Sequence, residues 1–122
     1  MRIKIVTESA EAFAELNNTK TASAVFDSLP IESVAHRWGE EVYFEIPLDV
    51  EPENGKEVLE VGDIAYWSPG RSMCIFFGPT PSSRGNEVRA YSPVNVFGKI
   101  SGDATIFRDV KEGDLIRVET GD

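Results

Sequence analysis

The chain is short of almost everything from which the commoner enzyme sites are built. It has one cysteine, Cys74, and one histidine, His36, among 122 residues. A single cysteine excludes an internal disulfide and fits a reducing compartment. Cys74 stands inside an apolar run with no base beside it in sequence, which predicts a buried and inert thiol. A lone histidine gives no ligand set of recognisable spacing, so no metal is expected. Asp49, Glu51 and Glu53 alternate in one loop but lack the glycine and the acidic spacing of a calcium loop. Neither glycine-rich phosphate motif occurs, so no nucleotide cofactor is implied, and Ser68-Pro69-Gly70 is no nucleophile elbow.

Basic residues are scarce as well: 12 Lys and Arg stand against 21 Asp and Glu, a formal net charge of −9. Phosphate binding needs clustered positive charge, so neither nucleic acid nor an anionic membrane is an expected partner. The acidity reads as a solubility feature. No apolar run approaches the ~20 residues of a membrane span, and MRIKIV is too short for the apolar region of a signal peptide. These features predict a soluble, cytoplasmic protein of one domain, residues 1–122. Its 41% hydrophobic content is enough for a single core. The oligomeric state is left open.

What the chain does have is a series of short strand patterns around one helix. Arg2 to Val6 alternates charge with Ile and Val; within Thr7 to Leu16 the Ala and Glu residues allow a short helix, but Phe13 to Leu16 reads better as a second strand pairing with the first. From Asn17 or Asn18, either of which can cap, Ala22, Val25, Phe26 and Leu29 form one apolar stripe. That spacing predicts a helix of about three turns over Thr19–Leu29, ended by Pro30. Ile31 to Trp38 and Val42 to Ile46 read as strands joined by a turn at Trp38-Gly39-Glu40-Glu41. Pro47 to Lys56 reads as a surface loop or a poor hairpin. In the stretch Gly62–Pro81, two apolar runs flank Ser68-Pro69-Gly70, which predicts two strands and a tight turn with Arg71 just after it. Val94 to Ile100, with a bulge at Gly98, and Asp114 to Glu119 complete the set, while Ala104 to Phe107 reads as a strand or a helical turn. Seven or eight short strands with one helix predict a mainly β fold, a small closed barrel or a sandwich.

Three segments carry a resemblance. Trp38-Gly39-Glu40-Glu41-Val42-Tyr43-Phe44, then Gly62-Asp63-Ile64-Ala65-Tyr66-Trp67 through Pro69-Gly70-Arg71, then Phe76-Phe77-Gly78-Pro79-Thr80-Pro81 resemble the small cyclophilin-like proteins of archaea and bacteria. The order strand, strand, helix opening on Lys20-Thr21-Ala22, then further strands, fits as well. The resemblance implies a small closed β-barrel with a helix plugging one opening. Cyclophilins proper isomerise X-Pro bonds with a His-Arg pair after the first helix and a Phe-Met-x-Gln strand. Here His36-Arg37 falls in that order, but the next strand reads Val42-Tyr43-Phe44-Glu45, without the Gln. A rival register sets Pro69-Gly70-Arg71-Ser72-Met73-Cys74 against the family's Pro-Gly-Phe-Met-Cys. The two registers exclude each other.

Three functional readings follow. The first is a binding module that holds a peptide or small ligand in a cleft of Trp38, Tyr43, Phe44, Trp67, Arg71, Met73 and Phe77. Aromatic and arginine side chains combine large contact area with directed hydrogen bonds. The second is a peptidyl-prolyl isomerase, in which Arg37 or Arg71 would donate to the prolyl nitrogen over an apolar floor. The third is a structural or assembly protein with exposed aromatics at an interface. The first two place the cleft between the 62–81 segment and the Trp38–Ile46 hairpin.

Overall fold

The computed structural model describes all 122 residues, in the order β1 (Arg2–Thr7), β2 (Glu11–Leu16), α1 (Lys20–Asp27), β3 (Ile31–Val34), β4 (His36–Arg37), β5 (Glu41–Glu45), β6 (Lys56–Leu59), β7 (Asp63–Trp67), β8 (Ser72–Phe76), β9 (Val88–Ile100) and β10 (Leu115–Thr120). Two 3₁₀ turns, Ser68–Gly70 and Ala104–Asp109, complete it. The main sheet runs β3-β10-β1-β2-β9-β7-β8-β5-β4, every pairing antiparallel. Its edges, β3 and β4, are consecutive in the chain, so the sheet curls back on itself. The expected closed barrel does not form, because no backbone ladder joins the two edges. Across the seam runs a side-chain bond, from Ser33 Oγ to the Glu45 carbonyl at 2.7 Å.

The interior of the curl holds a cluster of 25 buried residues, among them Ile3, Ile5, Val42, Phe44, Ile64, Tyr66, Met73, Ile75, Phe97 and Val118. Strand side chains alternate between faces, so their neighbours Tyr43, Ala65, Trp67, Cys74 and Phe76 point to the outer face. That face is covered too. The first half of β9 leaves the main sheet and pairs with β6, Val58 opposite Arg89 and Leu59 opposite Val88. Leu59, Val88, Ala90 and Val94 then close over Ala65, Cys74 and Phe76 as a second, smaller core.

Helix α1 is two turns long rather than three. Thr19 is its N-cap, with its side chain accepting from Ala22 N–H, and Asn17 in turn accepts from Thr19. Thr21, Ala22 and Val25 are buried, whereas Phe26 and Leu29, expected on the buried stripe, are half-buried at the edge of the core. The helix stops early because Ser28 caps it: its N–H meets the Val25 carbonyl at 3.1 Å, its Oγ donates to the Ala24 carbonyl at 2.8 Å, and the following Leu29 N–H meets the Phe26 carbonyl. Glu53 crosses from the 47–55 loop to accept from Lys20 N–H and Thr21 N–H, both at 3.0 Å. A carboxylate on the free N–H groups of a first turn is favoured by hydrogen bonding and by the helix dipole. Accordingly the Thr21 and Lys20 bonds hold the Glu53 carboxyl below its ordinary pKa.

Three strand segments differ from the sequence pattern. β6 falls in a segment whose Lys56, Glu57 and Val58 are all exposed, so it shows no alternation. β9 starts at Val88 rather than Val94, and it continues through Ser92-Pro93 because Pro93 lies where the strand passes from one sheet to the other. Ile31–Trp38, read as one strand, is broken at Ala35 into β3 and β4.

Asn95, 3% exposed, stands at the start of the second half of β9. Its Nδ2 donates to Thr21 Oγ1 at 3.1 Å and to the Glu51 carbonyl at 2.9 Å, and its Oδ1 accepts from Glu53 N–H at 2.8 Å. One side chain thus ties helix, loop and sheet together. Leaving buried partners unpaired costs about 1–3 kcal/mol. Asn95→Ala is expected to lower the unfolding free energy by about that amount, read as a shifted urea midpoint at unchanged slope; an unmoved midpoint would mean that water replaces these bonds at no cost.

Candidate functional site

The outer face of the sheet has one concave apolar site. Nine residues enclose a cavity of about 180 Å³: Trp38, Glu41, Tyr43, Trp67, Cys74, Phe76, Ala90, Tyr91 and Val94. Glu41 and Tyr43 come from β5 and Cys74 and Phe76 from β8, residues whose alternation turns them away from the interior. Val94, Tyr91 and Ala90 come from the half of β9 that folds over them.

Local geometry fixes the two indoles. Trp38 precedes the turn into β5, where Gly39 has φ +59° and a Cβ would lie 2.8 Å from Pro81 Cδ. Only glycine allows that turn to tuck under the 79–81 segment. The Trp67 ring lies over Gly70, where a Cβ would come within 2.4 Å of Cζ3. Its Nε1 donates to Ser92 Oγ at 2.7 Å, which ties it to β9. Tyr91, 70% exposed, stands between the indoles at the lip. Its ring centroid is 6.0 Å from each of the two, at 75° to Trp38 and 86° to Trp67. Such edge-to-face contacts contribute about 0.5–1.5 kcal/mol beyond burial.

Glu41 is the one charged side chain in the lining and is 6% exposed. Burial pushes its carboxyl up to about 7 from an ordinary value of 4.5, partly offset by a hydrogen bond with the Cys74 thiol. No cation acts on it. The Cys74 thiol is itself pushed well up by burial and by the neighbouring Glu41 charge. Tyr43 is raised by burial first, then by Glu112 and Glu41.

The structure brings together Trp38, Tyr43 and Trp67 from the sequence-predicted set. Phe44, Met73 and Phe77 lie in the interior cluster at 0–1% exposure, on the other side of the sheet. Arg71 is exposed, in the left-handed region at φ 47°, and its Nε reaches the Leu48 carbonyl at 3.5 Å, outside the cavity. Arg37 is not in the lining and is held internally, its guanidinium 5.2 Å from the Phe77 ring centroid. Its Nε and Nη2 donate to the Gly39 carbonyl, Nη2 also to Glu40, and Nη1 to the Arg108 and Val110 carbonyls. These contacts engage all five N–H groups of the guanidinium. His36 pairs with Glu112, which also accepts from Arg37 N–H at 3.0 Å, and Arg108 pairs with Glu40 at 2.8 Å. In the polar cleft that Arg37, Arg108 and Glu112 line together with Ser9, Asp109, Val110 and Lys111, these three are thus each engaged by partners within the chain.

Glu41 and Tyr91 were not legible as site residues. Glu41 reads as part of a turn, and Tyr91 stands before the Val94–Ile100 strand, outside any predicted element. The available signal is on a facing strand: from Met73 to Phe76 every residue of β8 is apolar or sulfur-bearing, the pattern of a strand covered on both faces.

Glu41 sets a pH dependence. The unfolded chain releases this proton near 4.5 and the folded chain near 7. Between those values the folded state binds more protons, so this group's contribution to stability falls as pH rises from about 4.5 to about 7. At 1.36 kcal/mol per unit the loss is on the order of 3 kcal/mol. Relative to wild type, Glu41→Gln is expected to gain about that much between pH 4.5 and pH 8, measured by denaturant titration at each pH. A difference that does not change with pH would show that Glu41 is solvated.

A family model described as Cyclophilin-like matches residues 1–119. A hypothetical protein of Archaeoglobus fulgidus, known from a solution structure, is 44% identical; the match covers 99% of this chain and 95% of that one, with a TM-score of 0.85. A structure of McbB in complex with tryptophan is similar in fold at 15% identity and a TM-score of 0.73. That match covers 98% of this chain and 44% of McbB. No curated protein matches the chain.

Proposed function

We propose a binding role for this chain, which belongs to the cyclophilin-like family: it holds an apolar group about the size of one ring, carried by a small molecule or a peptide side chain, in the aromatic pocket of the outer face. The observation that carries this reading is the pocket itself. Its lining is apolar apart from Glu41, and its about 180 Å³ compares with the ~150 Å³ of an engineered cavity that takes up benzene. Ligand sites are commonly concave and apolar with few polar groups set among aromatic walls. An exposed tyrosine held between two half-buried tryptophans supplies a lip that a ligand can cover.

Isomerisation of X-Pro bonds is less well supported. The barrier of about 18–20 kcal/mol comes from amide resonance, and lowering it requires a donor free to reach the prolyl nitrogen. Arg37 has its five N–H groups engaged within the chain, and Arg71 lies outside the pocket. We therefore expect no acceleration in a proline-isomerisation assay.

Benzyl alcohol is a suitable neutral probe, followed by tryptophan fluorescence and by amide shift changes. Saturable binding that perturbs Ala90, Tyr91 and Val94, weakened at least about fivefold in Trp67→Ala, is expected. Saturation with shifts elsewhere, or none at all, would sink the pocket as the binding site.

A further inference from the structure

Glu41 is a carboxyl more than nine-tenths buried, aimed into a cavity that otherwise presents only apolar and aromatic side chains. The only group of the chain that acts on it is the weakly donating Cys74 thiol, whose sulfur lies 3.9 Å from the Ser72 carbonyl. Neither lysine nor arginine lines the pocket, and no ion pair within the chain includes this residue. A fold gains nothing in stability from such a group, since a buried carboxylate without a counter-charge is costly and an apolar residue of similar size would pack as well. The missing element is a positive charge. Around the carboxylate stand the aromatic rings of Trp38, Tyr43, Trp67 and Tyr91, with the Tyr91 plane nearly perpendicular to both indoles. Ring faces attract cations through their quadrupoles, and the attraction grows when water is excluded.

Resting on the binding role proposed above, we infer that the pocket selects organic ammonium ions, the cationic head entering among the four aromatic rings to meet the Glu41 carboxylate. An ammonium with apolar substituents suits this lining better than a bare one, because its carbon shell is easily desolvated while its charge is kept. A trimethylammonium or arylmethylammonium head is of the size the cavity admits. A neutral ligand would meet only the apolar walls, or would accept a hydrogen bond from the protonated acid.

The two cases have opposite pH dependence. The titratable groups facing Glu41 are Cys74 from β8, Tyr43 from its own strand and Tyr91 from β9, while β7 contributes only Trp67. Cys74 and Tyr43 are both shifted upward by burial and by nearby negative charge, so Glu41 is the group that changes charge near neutrality. Cation binding requires the ionised form and strengthens as pH rises through about 7. Binding of a neutral acceptor weakens over the same interval.

Benzylammonium and benzyl alcohol differ essentially in charge, and benzyltrimethylammonium keeps its charge at every pH. Titrated at pH 8, benzylammonium is expected to bind at least about tenfold more tightly than benzyl alcohol, a ratio that falls to near one in Glu41→Gln. Benzyltrimethylammonium affinity in the wild-type protein is expected to drop about tenfold from pH 8 to pH 6, as the ionised fraction does. Equal affinities for the charged and neutral probes would overturn the ammonium assignment and leave the pocket as a neutral binding site, as would affinity that rises with acidity. Failure of both probes to bind overturns the binding role as well. The wild-type pH profile decides the matter even if Glu41→Gln does not fold.

Discussion

A β-strand sends successive side chains to opposite faces, and this chain has apolar groups to cover on both. Val42, Phe44, Ile64, Tyr66, Met73 and Ile75 fill the interior of the curled sheet, while Tyr43, Trp67, Cys74 and Phe76 are left outside. Fully burying one such side chain stabilises by roughly 1.5–3 kcal/mol, so an uncovered outer face would be a substantial loss. The answer is β9. Its second half belongs to the main sheet and its first half, with β6, roofs the outer face. The pocket is the part of that second core where the roof and the sheet do not quite meet.

This arrangement explains why only part of the site could be read from the sequence. The crowding of aromatics at 38–44 and 62–77 does point to the right segments, and Trp38, Tyr43 and Trp67 do come together. Phe44 and Met73 are one residue away from Tyr43 and Cys74, and that single step places them across the sheet. The strands β1, β2, β7 and β8 are legible because alternation or bounding turns mark them. β6 and the first half of β9 are not, because they are a roof of mixed character with a proline at the joint, and their strand form depends on partners far along the chain. The helix is legible as an element, but its length is decided by caps at Thr19 and Ser28 that compete with Asn17 and Pro30.

The two arginines show how a shared motif can hold different roles. His36-Arg37 stands in the order that cyclophilins use, yet the Arg37 side chain is a clasp that joins the Gly39 turn to the 108–110 segment and lies 5.2 Å from the centroid of Phe77. A guanidinium is suited to this because its planar fork can meet several carbonyls at once. The charged group that lines the aromatic pocket is instead an acid, Glu41.

The place of β10 between β3 and β1 has a consequence in time. Ile3 pairs with Thr120 and Ile31 with Val118, so the last strand lies between two of the first. During synthesis β1 and β3 remain without the partner that joins them until Leu115–Thr120 has emerged, more than 80 residues after β3. Domains dominated by such distant pairings fold in milliseconds to seconds rather than microseconds. Over that interval the nascent protein presents unpaired strand edges to its neighbours, and the acidic side chains Glu8, just after β1, and Glu32, within β3, would keep separate copies apart until the late strand arrives.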